Sequence, residues 1–106
     1  MKSQPVEFLE PVADDLAYAL AFYDSWLTAG STIFLGRFRE TVSRIERNPE
    51  QFPKKHRFFR RAIIPRTYFG IYFAIEPEIT TVVAVLDMRQ NPRILRSLLK
   101  LRRVKR

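Results

Sequence analysis

The chain is constrained most by two apolar runs that a short acidic, proline-containing segment joins. In the first run, FGIYFAI at Phe69–Ile75, large side chains recur at every second position, which is the period of a β-strand. The second run, TTVVAVL at positions 80–86, is almost entirely β-branched or apolar, as in a central strand that is buried on both faces. Glu76-Pro77-Glu78 favours a turn between them. We therefore predict two adjacent antiparallel strands at the centre of a sheet.

A basic segment upstream predicts a third strand of the same sheet. Residues 58–64 have the sequence FFRRAII, and side-chain alternation along a strand places Arg60 and Arg61 on opposite faces. Pro65-Arg66-Thr67 then favours a turn. Residues 54–92 thus predict a three-stranded antiparallel sheet that carries the working surface of the protein, while the segments upstream cover its other face.

An amphipathic helix is predicted after a short first strand at residues 6–10. The apolar spacing changes at Val12 to the i, i+4, i+7 stripe of a helix. Asp14 and Asp15 stabilise the positive end of such a helix dipole. We predict that this helix ends at Gly30, in the left-handed conformation that glycine commonly supplies there.

A second helix is predicted next, and it forms a helical hairpin with the first. Ser31 or Thr32 can cap its start, an apolar stripe that includes Phe34 runs along it, and Asn48-Pro49 ends it. We interpret the aromatic side chains of this hairpin as parts of the core.

The predicted order is therefore β-α-α-β-β-β, followed by a basic C-terminal helix or tail after Pro92. A chain of 106 residues supports one hydrophobic core but not two, so we predict a single domain covering residues 1–106, with residues 88–106 as its basic segment. The fold class is α+β, with an antiparallel sheet packed on the helical hairpin and the helices on one sheet face.

The formal charge of +8 is concentrated in particular segments of the chain. Residues 1–87 carry 11 basic and 11 acidic side chains, whereas residues 88–106 carry eight basic side chains and no acidic one. A second acid-free cluster occupies residues 54–66. Two basic clusters that flank one sheet favour a polyanion or an acidic protein as partner. A solvated, solubilising tail is the alternative.

The residue inventory argues against several classes of chemistry. The chain has no cysteine and one histidine, His56, so neither a thiolate site nor a histidine-rich metal site is expected. Its serines form no nucleophile–base motif, and its carboxylates offer no converging metal ligands near the sheet. We expect no metal and no cofactor. The absence of a long apolar run and of an apolar signal segment predicts a cytoplasmic protein without a membrane span.

Metal-free RNA cleavage remains open as an alternative. It requires a base for the 2′-hydroxyl, cations at the phosphate and an acid for the leaving group. Tyr68, Tyr72 or His56 can in principle transfer protons or stack on bases. The guanidinium groups that can hold a phosphate bidentately are those of Arg60, Arg61, Arg66 and Arg89. Ordinary surface composition accounts for each of these arginines equally well.

The segment RRAIIPRTYFGIYFAIEPEITTVVAVLDMRQNP resembles the C-terminal half of the RelE/ParE toxin superfamily, and more closely its ParE-like, plasmid-stabilisation branch. Upstream, PVADDLAYALAFYDSW is similar to the first helix of the family. RFRETVSRIERNPEQFP is similar to its second helix with the Asn-Pro-x-x-Phe-Pro stop. The similarity spans residues 6–92 and agrees with the predicted order of elements.

The resemblance implies a type II toxin that a small cognate antitoxin wraps and neutralises, which allows a toxin–antitoxin hetero-oligomer. ParE-like members poison DNA gyrase, whereas RelE-like members cut messenger RNA on the ribosome. Arg61 (or Arg60) matches a basic position of the second strand, and Arg89 matches the arginine that ends the last strand. Gly70 and Asp87 stand where the pattern usually has an arginine and often a histidine, and the missing arginine disfavours RelE-type cleavage.

Three functions follow from the resemblance. The leading hypothesis is a ParE-like toxin that inhibits DNA gyrase or a related topoisomerase without chemistry of its own. The first alternative is a ribosome-dependent messenger RNA endoribonuclease, and the second is a non-toxic module that only pairs with an antitoxin. The endoribonuclease uses Arg61, Arg66, Arg89 and Tyr68 or Tyr72. The residues predicted to bind the target are Arg60, Arg61, Arg66, Arg89, Arg93 and Arg96.

Overall fold

The computed structural model describes residues 3–102. Its elements, in chain order, are β1 (Val6–Phe8), α1 (Val12–Asp24), α2 (Gly30–Arg47), a 3-10 turn (Pro49–Gln51), β2 (Lys54–His56), β3 (Phe59–Ile63), β4 (Phe69–Ile75), β5 (Thr80–Asp87) and α3 (Pro92–Leu101). The predicted basic segment continues into residues 103–106, which lie outside the described residues. Within residues 3–102, no helix combines the length and the apolar character that crossing a bilayer requires.

The strands form one sheet in the order β1-β5-β4-β3-β2. The β3–β4 and β4–β5 pairs confirm the predicted antiparallel strands, and every residue of β5 is buried, as expected for a central strand. One pairing differs, because β1 lies parallel to β5 with Val6 opposite Thr80. A pairing between residues so far apart has no local sequence signal. The basic segment also adds a short edge strand, β2, beside β3.

The helices cover both faces of the sheet, so the prediction that they lie on one face is wrong. The α1–α2 hairpin packs on the face that carries Phe69 and Phe73. α3 packs on the opposite face, where Leu99 joins a cluster with Tyr72 and Leu86. The side chains of β4 alternate between the two clusters, so both faces are apolar and each needs a covering layer.

The connection between α1 and α2 also differs from the prediction. α1 ends at Asp24, and the left-handed residue of the link is Ala29, with φ of 56°. Gly30 begins α2 without a positive φ. Glycine is required here because there is no room for a side chain: a Cβ at this position would lie 2.1 Å from the carbonyl oxygen of Tyr23.

Asp15 ties the three layers together. Its Oδ2 accepts a hydrogen bond from the backbone N–H of Val85 in β5, at 2.9 Å. Its carboxylate also forms an ion pair with Arg102, at the end of α3, in which Nη2 of Arg102 donates to Oδ1 at 3.0 Å. The aspartate therefore links α1, the central strand and the C-terminal end of α3, in addition to its predicted place at the start of a helix.

Candidate functional site: an arginine and aromatic surface

Arg89 lies two residues after the end of β5, and three side chains contact its guanidinium. Its Nε and Nη2 donate to the two carboxylate oxygens of Asp87 at 3.0 and 2.7 Å. Its Cζ lies 3.9 Å from the centroid of the Tyr68 ring and 5.4 Å from that of Phe22. We call these four residues the Arg89 cluster. The arrangement fixes the guanidinium while 52% of the Arg89 side chain stays exposed.

The ion pair of the Arg89 cluster shifts both titrations. Hydrogen bonds from Arg89 lower the pKa of Asp87, against the opposing effect of burial. The same bonds raise the pKa of Arg89. Both groups are therefore charged at neutral pH and together contribute no net charge. The pair is suited to directional hydrogen bonding more than to long-range attraction of an anion.

Exposed aromatic side chains surround the Arg89 cluster. Phe22 contacts both Trp26 and Tyr68, with ring centroids 6.0 and 6.5 Å apart. Tyr18, Trp26 and Tyr68 are 62%, 58% and 43% exposed. The prediction that the aromatic residues of the hairpin belong to the core is confirmed for Tyr23 and wrong for Tyr18 and Trp26. We call the surface of Tyr18, Phe22, Trp26 and Tyr68 the aromatic patch.

The arginines of β3 point to opposite faces of the sheet, as predicted. Nη1 of Arg60 donates to the backbone oxygens of Phe52 at 2.7 Å and Glu50 at 3.3 Å. Arg60 therefore holds the 3-10 turn against β3. Arg61 lies opposite Tyr72 in the β3–β4 register, on the face that α3 covers. Its Nε is buried and makes no hydrogen bond within the described part of the chain.

The predicted target-binding residues of the C-terminal segment line a separate depression. Arg93 and Arg96 of α3 face the β2–β3 turn across an open cleft of about 350 Å³. We call this the basic cleft, and its lining residues are His56, Arg57, Arg93, Arg96, Ser97 and Lys100. It joins members of the two acid-free clusters noted in the sequence. Arg57 and Lys100 were missed as site residues, and their place in those clusters was the available signal.

Among solved structures, the fold is similar to a chain described as "Chromosomal ParDE TA system from P. aeruginosa", with a TM-score of 0.65 and 16% sequence identity. The match covers 78% of the present chain and 94% of the other. The chain has the RelE/ParE-like fold. This confirms the predicted α+β fold of the RelE/ParE-like kind, although the helices cover both sheet faces. No protein-family model and no curated protein matches the sequence.

In this RelE/ParE-like fold, the position of Gly70 has a physical explanation. A Cβ on Gly70 would lie 3.0 Å from Cγ and Cδ of Arg61 and 3.1 Å from Sδ of Met88. The space that a longer side chain would need at position 70 is therefore filled by the stem of Arg61 and by Met88. Asp87, the second departure from the family pattern, is the carboxylate that holds Arg89.

The ribonuclease candidates occupy three places on this fold. Tyr68 and Arg89 are in contact in the Arg89 cluster. Arg61 and Tyr72 are cross-strand neighbours beneath α3, where the Tyr72 side chain is buried and its hydroxyl has no hydrogen-bond partner within residues 3–102. Arg66 is exposed in the β3–β4 turn, with φ of 63°. In the described part of the chain, no three histidine or carboxylate side chains converge as a metal site.

Proposed function

We propose that the protein is the toxin of a type II toxin–antitoxin system, of the ParE-like kind. In this proposal it inhibits DNA gyrase or a related topoisomerase in the cytoplasm and is neutralised by a cognate antitoxin. The observation that carries the proposal is the likeness of the fold to a chain of a ParDE system over nearly that chain's whole length. Two properties of the surface support it.

The first property is the composition of the aromatic patch and the Arg89 cluster. Tryptophan, tyrosine and arginine are the residues that most often dominate the free energy of protein–protein binding. Here Trp26, Tyr68 and Arg89 lie around one ring, that of Phe22. Asp87 neutralises and orients the arginine before any partner binds, so little ordering remains to oppose association. This surface suits a protein partner, either the antitoxin or the topoisomerase.

The second property is the distribution of the groups that RNA cleavage would use. General acid–base catalysis needs a proton donor or acceptor within hydrogen-bond reach of the reacting group. The buried Tyr72 lies under α3 and Arg66 lies in an exposed turn, so the residues named for the endoribonuclease do not form one compact group. The arrangement supports binding without chemistry.

Inhibition of supercoiling by purified gyrase tests the proposal. We expect the wild-type protein to inhibit the supercoiling of relaxed plasmid, and Trp26→Ala to weaken that inhibition at least tenfold, the effect of removing about 1.4 kcal/mol of binding free energy. Ile63→Ala is the matched control, because Ile63 is similarly exposed, at 50% against 58%, but lies on β3 outside the patch. Absence of wild-type inhibition at high micromolar concentration would contradict the proposal.

The endoribonuclease remains the second candidate, and the contact between Tyr68 and Arg89 is the observation in its favour. Cleavage of messenger RNA in a translating extract that is lost in Arg89→Ala would support it over gyrase inhibition. If the protein is instead a non-toxic module that only pairs with an antitoxin, we expect neither gyrase inhibition nor messenger RNA cleavage.

A further inference from the structure

The basic cleft differs in its chemistry from the aromatic patch. One wall is α3, with Arg93, Arg96 and Lys100 exposed, and the other is the β2–β3 turn with Arg57. None of these four cationic side chains takes part in an ion pair or a side-chain hydrogen bond within residues 3–102, where the ion pairs are those of Arg89 and Arg102. The cleft therefore presents positive charge that the described structure does not neutralise.

Two of these cations occupy positions that local energetics disfavour. Arg57 has φ of 54°, a left-handed conformation that glycine adopts more easily than any residue with a side chain. Arg93 lies in the first turn of α3, which contains no acidic residue, although the helix dipole is unfavourable for a cation at that end. Departures from local preference concentrate at functional sites. Arg57 and Arg93 both line the basic cleft.

The spacing of the cations matches a polyanion with regular charges. Arg93, Arg96 and Lys100 recur after three and four residues, so they share one side of α3. A helix rises about 1.5 Å per residue, which spreads the three side chains over about 10 Å. Each strand of duplex DNA carries one phosphate per about 3.4 Å of the helix axis, so a row of this length can face more than one phosphate at once. Arg57 adds a fourth cation from the opposite wall.

We infer that the basic cleft binds the phosphate backbone of a nucleic acid without reading its sequence. The inference goes beyond the proposed toxin function and does not depend on the identity of the toxin's target. An acidic protein is the competing partner, and the lining argues against it. The fully buried centre of a protein interface is typically apolar or aromatic, whereas the side chains that line the cleft include no aliphatic residue and no tryptophan, tyrosine or phenylalanine.

Fluorescence anisotropy tests the inference directly. The probes are a labelled duplex DNA of mixed sequence, a single-stranded DNA and a single-stranded RNA, each titrated with the full-length protein from 50 to 200 mM salt. We expect duplex affinities on the order of 10 µM at the low-salt end, and a slope of log affinity against log salt of about −3 to −4, as for four neutralised phosphates. The three probes distinguish DNA from RNA as the source of the phosphates.

Two double variants that lose the same charge distinguish binding by the cleft from attraction by the overall net charge. Arg96→Ala with Lys100→Ala is expected to weaken duplex binding at least tenfold at 100 mM salt and to reduce the slope by about 2. The control, Arg39→Ala with Arg47→Ala, removes the same charge from exposed positions of α2 and is expected to weaken binding about twofold at most. Equal losses in the two double variants would overturn the inference, because overall charge would then explain binding.

Arg57→Gly separates a binding role from a structural one. Glycine relieves the left-handed conformation, so the variant is expected to melt at the same or a higher temperature while it binds duplex DNA several-fold more weakly. Unchanged binding in this variant counts against a role of Arg57 in the cleft. Absence of binding to all three nucleic acids, or displacement of bound DNA by an equal charge of polyglutamate, overturns the inference. Because no step uses gyrase, failure here is distinct from failure of the proposed function.

Discussion

The joint between α1 and α2 provides a sharp test of the structure, because two glycines of α2 have opposite surroundings. A Cβ on Gly30 would meet the carbonyl oxygen and carbon of Tyr23 at 2.1 and 2.4 Å. These are backbone atoms, so one helix end must move to admit an alanine. At Gly36 no atom would lie within 4 Å of a new Cβ. The same Gly→Ala substitution therefore has opposite consequences at the two positions.

The expected magnitudes follow from this geometry. Forced overpacking typically destabilises a protein by about 1–3 kcal/mol, and the backbone clash places Gly30→Ala near the upper end. Gly36→Ala removes a glycine from the exposed interior of a helix and is expected to stabilise by about 1 kcal/mol. The two variants should differ by about 4 kcal/mol in the free energy of unfolding. For a domain of this size, that difference corresponds to roughly 16 °C in Tm.

Denaturant unfolding followed by far-ultraviolet circular dichroism measures these differences. Ala29→Gly serves as the third variant, because it relieves the left-handed φ of 56° and is expected to be neutral or stabilising by up to about 1 kcal/mol. If Gly30→Ala proves as stable as Gly36→Ala, the close approach of the two helices is refuted. The link that carries Trp26 of the aromatic patch would then not be anchored as described.

The remaining predictions concern single side chains. Asp87→Asn should destabilise the protein at pH 7 and approach the stability of the wild type as the pH falls below about 4. The pKa of Asp87 is lowered in the folded state, so its stabilisation is present above the unfolded-state pKa near 3.9 and is lost as the pH falls through the lower, folded-state pKa. A stability difference that persists at pH 2 in denaturant titrations would contradict this. Tyr72→Phe should leave the stability unchanged or raise the free energy of unfolding by up to about 1 kcal/mol, since the hydroxyl it removes is buried without a partner among residues 3–102. The variant should leave gyrase inhibition intact. Asp15→Ala should destabilise by about 3 kcal/mol or more, because it leaves the Val85 N–H without its acceptor and the Arg102 guanidinium without its carboxylate. A loss below about 1 kcal/mol would show that water replaces the carboxylate.

Patterns of local origin were predictable from the sequence. The period of β4, the buried run of β5 and the opposite directions of Arg60 and Arg61 follow from side-chain alternation, and all three are confirmed. The order of elements followed from such patterns, and the resemblance of the sequence to the RelE/ParE superfamily implied the fold. Gly30 was recognised as structurally important, but the predicted reason, a left-handed backbone, was wrong. Sequence position alone does not distinguish a need for positive φ from a need for space.

The features that were missed depend on long-range packing. Nothing local to β1 specifies a parallel partner in β5, and the stripe of α3 does not reveal which sheet face it covers. The same limit applies to the site. Arg60 is predicted to bind a target, and its two backbone acceptors near the 3-10 turn had no signal in the sequence. Trp26 was assigned to the core. Its exposure could not be predicted, because it depends on where α1 ends. Arg57 and Lys100 become neighbours of one cleft only after folding.

Induced expression in a bacterial host decides whether the chain acts as the proposed toxin. Viable counts and a DNA-damage reporter are followed after induction of the wild-type chain and of Trp26→Ala, with equal soluble protein verified for both. Arrested growth and an induced damage response are expected with the wild type, and marked relief of both with Trp26→Ala. Unimpaired growth of cells that contain the folded wild-type protein would contradict the proposal and favour the non-toxic, antitoxin-pairing module.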